Sequence, residues 1–260
     1  MGDGVHAGDG VHAGEGVRAL VRRMEGLLVE LEAAGDPARY FLGTYLRTTR
    51  AVGAALDRGF FEDAPWVEEW DVVFADLYLR ALTARQEEPH AVPRPWRIAF
   101  DADPGLPPVL HVLLGMNAHI NSDLPQATVQ VIGPEGFADE RLLARRRRDH
   151  ERLDVVLASR VGAESREMGS LGGTSRRWRD ALLGPADRVA TRRFLVESRR
   201  RVWHNTVALH EARLRGAGAT ERRLADLDAL SSARVAALLL PGPVLLRVAL
   251  RGFGVLLPPS

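Results

Sequence analysis

From Val17 onward, apolar residues recur at intervals of three and four, the spacing of helices with one buried face. Leu20, Met24, Leu27, Leu28 and Leu31 mark a first helix. Gly35-Asp36-Pro37 ends it and opens a second, from about Pro37 to Leu56, carrying Tyr40, Phe41, Tyr45 and Val52. A third begins after Asp63-Ala64-Pro65, with proline at an early position where its missing N–H costs nothing. On it Trp66, Trp70, Phe74 and Tyr78 fall four apart, an aromatic stripe that core packing explains by default and a ligand-stacking wall explains as the alternative.

Beyond it, the proline-rich stretch Pro89 to Pro108 reads as a connection holding a short helix around Trp96 to Asp101. An apolar run, Val109 to Met116, then opens directly into Asn117-Ala-His-Ile-Asn-Ser-Asp123. After Pro125 a short segment reaches Ile132, where Gly133-Pro134 stops it. Ala127 to Ile132 alternates with β-branched residues and is the one strand-like signal. Long helices follow from about Ala138 to Arg160, Pro185 to Arg215 and Thr220 to Leu240, with a loop at Gly169 to Gly173. The apolar tail Val235 to Pro258 is interrupted by Pro241-Gly242-Pro243, Arg247 and Arg251. A membrane span wants about 20 unbroken apolar residues, so the expectation is a broken helix laid on the core, with a membrane-surface segment as the minor alternative.

The N-terminus repeats every six residues, Gly2-Asp-Gly-Val-His-Ala7 and Gly8-Asp-Gly-Val-His-Ala13, with a degraded third copy. So much glycine is expensive to order. The expected organisation is therefore a disordered tail over 1–16 and an all-α, single-domain helical bundle over 17–260. His6, His12, Asp3 and Asp9 offer metal ligands in principle. No basic start and apolar run forms a secretory signal, and a cytoplasmic protein is expected.

Composition narrows the chemistry. The 260 residues include no cysteine, which removes disulfides, thiolate nucleophiles and zinc-thiolate sites. All 35 basic residues are arginine against 34 acidic ones, which excludes Schiff-base lysines and a phosphate-loop lysine. A net charge of +1 argues against nonspecific nucleic-acid binding, which rests on phosphate neutralisation. The runs Arg145 to Arg148 and Arg199 to Arg201 are expected to pair with neighbouring acids such as Asp139, Glu140, Asp149 and Glu151. Gly-x-Ser-x-Gly, a GxGxxG after a strand and HExxH are all missing; Leu171-Gly-Gly-Thr-Ser175 follows no strand and is a weak phosphate cradle.

The densest polar cluster bounded by apolar sequence is Asn117, His119, Asn121 and Asp123. Buried polar groups are costly unless paired or useful, so this is the candidate site. If helical, His119 and Asp123 share one face and Asn117 and Asn121 another; if extended, all four line one surface. His119 would act as general base or metal ligand, Asp123 as its orienter or co-ligand, and the two asparagines as hydrogen-bond donors to developing charge. A divalent metal would need a third ligand, for which His204 is the candidate, with Asp71 and Asp76 beside the stripe as others. Trp70, Phe74, Tyr78 and His111 are the expected substrate-binding walls. The structural alternative is that His119 and Asp123 pair with each other while the asparagines cap helix ends around Pro125.

The string Leu113 to Leu124, preceded by His111, resembles the hallmark of the domain of unknown function 5995, a bacterial helical family. Asp71, Phe74, Tyr78, Trp96, Phe100 and Trp203 fit the pattern around it, and the likeness spans roughly Tyr40 to Leu209. It implies a mostly helical fold and an unassigned activity, and it carries over His111, Asn117, His119, Asn121, Asp123 and, outside the motif, His204.

Two functions follow. In the first, a helical-bundle enzyme, with a biosynthetic role in view, acts on a small, largely hydrophobic metabolite by hydrolysis, elimination or cyclisation, through a metal or by acid/base catalysis. In the second, a non-catalytic structural or interaction protein uses the cluster as a capping and hydrogen-bonding motif.

Overall fold

The computed structural model describes residues 14–153, 156, 185–241 and 252–259, and for 185–199 the backbone alone. The first two hexad copies and the Gly169 to Gly173 loop lie outside these residues, whereas the degraded third copy is described and is helical from Glu15, two residues inside the expected tail. Among the described residues every regular element is helical, so the chain is an all-α bundle.

Helix α1 (Glu15–Ala33) buries Leu20, Met24 and Leu31. Its first turn is capped from another helix: the Glu68 carboxylate accepts from Gly14 N and Gly16 N, both at 2.6 Å, where orphan N–H groups favour an anion. Gly35, at φ 65°, ends it in the left-handed conformation while Asp36 N donates to Leu31 O, a glycine-terminated stop. The Asp36 side chain then accepts from Ala38 N at the start of α2 (Ala38–Asp57). In α3 (Ala64–Glu87), Asp63 caps Trp66 N and Pro65 sits in the first turn, as the sequence predicts.

A 3-10 turn (Pro89–Ala91) and α4 (Arg94–Phe100) fill the proline-rich connection. Then α5 (Pro108–Ala118), a π-helical turn (His119–Asp123) and α6 (Leu124–Ala138) run on as one helical path. The strand-like alternation of Ala127 to Ile132 is overruled: those residues lie in α6. Burial decides it, because Ala127, Thr128 and Ile132 face inward at helical spacing. Gly133, with φ 66° and ψ 167°, breaks the helix just before Pro134.

Residues 140–153 form the described part of α7, followed by α8 (Pro185–Leu214) and α9 (Ala217–Leu238). The tail departs from the expected broken helix: residues 252–259 are irregular and extended, laid on the core with Phe253, Val255 and Leu257 buried, while 242–251 lie outside the described residues. No described helix is long and apolar enough to cross a membrane.

Helix α1 packs on α2 and α3, α2 on α5, α3 on α6, α6 on α8, and α9 on α4, α5 and α8. Two apolar clusters result. One surrounds Met24, Leu42, Leu79, Trp96 and Leu114; the other surrounds Leu56, Trp66, Val67, Leu124 and Val202. Val21, Val72 and Phe74 pack against both, and the π turn touches α3, α5, α6, α8 and α9. The polar cluster therefore stands where the helices converge.

Candidate active site

Local chemistry explains the π turn. Within an α-helix, a proline ring collides with the carbonyl four residues earlier and offers no N–H to it; for Pro125 that carbonyl belongs to Asn121. Opening the turn by one residue relieves the clash, and Leu124 N donates to His119 O, five residues back. Side chains back up the neighbouring carbonyls: Asn121 Nδ2 donates to Asn117 O at 3.0 Å and Gln126 Nε2 to Ser122 O at 2.8 Å. The helical path is thus unbroken here, and neither Asn117 nor Asn121 caps a helix end by an N-cap hydrogen bond.

One face of the turn carries His119 and Asp123, with side chains 4% and 3% exposed. His119 Nδ1 lies 2.9 Å from Asp123 Oδ2, and Trp96 Nε1 donates to the same oxygen at 2.8 Å. With Asp123 ionised, its carboxylate can only accept, which puts the proton on His119 Nδ1 and leaves Nε2 with a lone pair. Burial lowers the His119 pKa, opposed by Asp123; burial raises that of Asp123, opposed by His119, Trp96 and Ser122. Desolvation leads in both, so burial disfavours the charged form of each partner.

The imidazole sits in a box of aromatic rings. Phe74 stacks on it at 3.6 Å between centroids and 6° between planes. Tyr45 meets it edge-on at 4.6 Å, and Phe41, Tyr78 and Trp96 stand at 5.8 to 5.9 Å. Phe41 reaches this position because residue 115 is glycine: a Cβ there would stand 2.4 Å from Phe41 Cγ. Within the box, His119 Nε2, Tyr45 Oη and Tyr78 Oη are buried with no hydrogen-bond partner among the described residues, and so is Asp71 Oδ2, whose charge acts on Tyr45. Burial pushes Asp71 up to about 7 and raises both tyrosines, so their hydroxyls stay protonated. Several orphaned polar atoms around one imidazole are unusual, since each costs about 1–3 kcal/mol.

Beside the box lies a small pocket lined by Phe41, Tyr78, Trp96, Phe100, Arg85 and His111, among others. Its water-accessible space is about 20 Å³, enough for one water. Three of the rings around His119 also wall this pocket. His111 stacks on Tyr40 at 5.9 Å, with its Nε2 buried and without a partner among the described residues.

Of the expected walls, Phe74 and Tyr78 contact the imidazole and His111 lines the pocket. Trp70 does neither; its Nε1 donates to Thr128 Oγ1 and its ring stacks between Trp66 and Phe74. The asparagines depart further from expectation. Asn121 Nδ2 donates to Asn117 Oδ1 and Phe253 O, and its Oδ1 accepts from Val255 N, so its amide is engaged away from the imidazole. Asn117 Nδ2 has no partner among the described residues. His204 Nε2 lies 3.3 Å from Leu257 O, and among the described residues no three His, Asp or Glu side chains meet in a metal-binding group. The set His119, Asp123 and His204 is therefore not assembled as three ligands.

The arginine run pairs mostly with acids in the bend just before α3. Arg145 meets Asp63 at 2.7 Å and Arg148 meets Glu62 at 2.8 Å, while Arg147 alone follows the intrahelical expectation, with Glu151. Sequence reasoning passed over Phe41, the orienting role of Trp96, and Asn205. An asparagine beside His204 among apolar neighbours was the available signal for the last.

A model of a family of unknown function, DUF5995, matches residues 17–241. No curated protein and no solved structure matches the chain.

Proposed function

The chain belongs to the DUF5995 family, and we propose that it is an enzyme in which His119, oriented by Asp123, moves a proton on a small, largely hydrophobic substrate. One observation carries this reading: an imidazole whose Nδ1 lies 2.9 Å from a carboxylate oxygen keeps a buried Nε2, without a partner among the described residues, inside an aromatic box next to a pocket. A carboxylate that fixes tautomer and orientation is the arrangement that makes histidine an effective base. Ring faces from Phe41, Tyr78 and Trp96 suit an apolar ligand. The protonated hydroxyls of Tyr45 and Tyr78 supply donors for charge that develops as the proton leaves.

Hydrolysis by a water that His119 activates, elimination and cyclisation each begin with a deprotonation that this inventory can perform. A metal-dependent version would need a third ligand brought to His119 and Asp123. The ligand on this reading is a small molecule, not nucleic acid, because Arg145, Arg147 and Arg148 are taken by acidic side chains. A water-sized pocket also means that the walls move when substrate enters.

The test is to incubate wild type and His119→Gln with a bacterial metabolite extract and follow depletion by mass spectrometry, with nitrogen-15 NMR of the wild-type imidazole. Wild type should consume at least one low-polarity species that the folded variant leaves, and the ring should carry its proton on Nδ1. Equal depletion by both proteins, or an Nε2–H tautomer, would refute the assignment.

A further inference from the structure

The opposite face of the π turn reads a polypeptide backbone. Residues 252–259 run between the π turn, α8 and α9. In an extended chain, alternate residues present their N–H and C=O to one edge and alternate side chains to one face. Here both regularities are used. On the odd-numbered edge, Asn121 donates to Phe253 O and accepts from Val255 N, at 3.0 and 2.9 Å. Asn205 does the same one step along, donating to Val255 O at 3.1 Å and accepting from Leu257 N at 2.9 Å. His204 faces Leu257 O. On the even-numbered edge the partners are arginines: Arg234 to Gly252 O, Arg201 to Gly254 O and Arg223 to Pro258 O.

The side chains divide likewise. Phe253, Val255 and Leu257 are 2%, 4% and 0% exposed, whereas Leu256 between them is 52% exposed. Two side-chain amides thus stand in for a neighbouring strand, and alternate apolar pockets select the sequence, the division of labour seen when peptides add to a sheet edge. Nothing in the backbone contacts requires that the peptide belong to this chain.

We propose that the groove between the π turn, α8 and α9 is a peptide-recognition site, and that 252–259 is a resident ligand which an extended segment of a partner protein, apolar at three alternate positions, displaces. The specificity is for the pattern Phe-x-Val-x-Leu and for backbone free to pair at Asn121 and Asn205. A partner segment with proline at the central apolar position lacks the N–H that Asn121 accepts and is rejected. The site is independent of proton transfer at His119, because it uses the other face of the turn.

The test uses the full chain and a fluorescent peptide of residues 251–260. Val255→Pro removes the N–H donated to Asn121, and Leu257→Asp places a carboxylate where Leu257 is fully buried; each loosens the resident segment and leaves the groove intact. Anisotropy should show saturable binding of the peptide to either variant, about tenfold or more tighter than to wild type, whose tethered segment competes at high effective concentration. A peptide with serine at the three apolar positions should not bind. Adding Asn205→Ala to Val255→Pro should weaken binding roughly ten- to a hundredfold, the loss of two hydrogen bonds. Equal affinity for both peptides, no binding to either folded variant, or loss of cooperative folding in both variants would overturn the proposal. A wild-type dimer that excess peptide dissolves would place a second copy's segment in the groove and overturn the role of a separate partner.

Discussion

Asp71→Asn is expected to stabilise the protein, by an amount that grows with pH. Asp71 is buried on α3, its Oδ2 without a partner among the described residues, and burial raises its pKa to about 7. In the unfolded chain an aspartate titrates near 3.9. Below both values the acid is neutral folded or unfolded and costs nothing. Between them the folded state holds a proton that the unfolded state has released, so stability falls as pH rises, by about 1.4 kcal/mol per pH unit. Above about 7 both states are ionised and the loss is complete, at roughly 4 kcal/mol for a separation of about three units. Asparagine keeps the shape and never ionises. Urea denaturation of both proteins at pH 4.5, 6, 7 and 8.5 isolates the effect, because every other titrating group cancels in the difference. The gap in favour of Asp71→Asn should widen steadily and level off above pH 7. A gap independent of pH would mean that Asp71 titrates normally. A gap of opposite sign would mean that the carboxylate is held as an anion, and the account of Asp71 as a buried acid without a partner would fail with it.

Gly115→Ala should cost about 1–3 kcal/mol by overpacking, because its Cβ would meet Phe41 at 2.4 Å; Gly26→Ala on α1, with nothing within 4 Å, should gain roughly 0.5–1 kcal/mol, and thermal melts read both. Trp96→Phe removes one donor from Asp123 Oδ2 and should cost about 1.5–3 kcal/mol, as a hydrogen bond to a charged group does, while raising the Asp123 pKa further, read by carbon-13 NMR of its carboxyl. His119 should remain neutral below the ordinary histidine value near 6.5, as burial lowers its pKa; its folded value lying below the unfolded one, its contribution to stability is complete above that value and declines as pH falls toward the folded pKa. Carbon-13 shifts of the ring that report a titration above 6.5 would contradict this.

The helices were legible because their signals are local. Leu20 to Leu31, the Gly35 stop, Pro65 and the four-residue aromatic spacing each specify backbone within a few residues, and each is where the periodicity puts it. His119 and Asp123 were legible for the same reason, a spacing of four and apolar flanks. What could not be read is set by tertiary contact. Trp96 reaches Asp123 across 27 positions, and Asn121 holds Val255 across 134; neither separation leaves a periodic trace. The β-branched residues after Pro125 misled because a strand preference is decided by burial and neighbours, and α6 packs between α3 and α8.

One proline connects these observations. A helix that ran regularly through Asn121 would leave its carbonyl against the Pro125 ring, so the chain widens there, and widening places polar side chains on two faces within five residues. One face gives an imidazole and its carboxylate to the aromatic box; the other gives an amide to the C-terminal segment. Both proposed roles then depend on the same few backbone atoms, with Leu124 N on His119 O as the bond that closes the turn. A π turn exchanges regular hydrogen bonds for placement, which is why such turns gather at functional sites. Pro125→Ala is the change that separates the two effects: it restores the missing N–H and removes the clash, so the regular helix becomes competitive. Relaxation to it would rotate His119 relative to Asp123 and Asn121 relative to Val255 together. Stability rises in that case, while the imidazole tautomer and the protection of the Val255 amide from hydrogen exchange are lost as a pair. If tautomer and protection survive Pro125→Ala unchanged, the neighbouring helices, not the proline, hold the turn open.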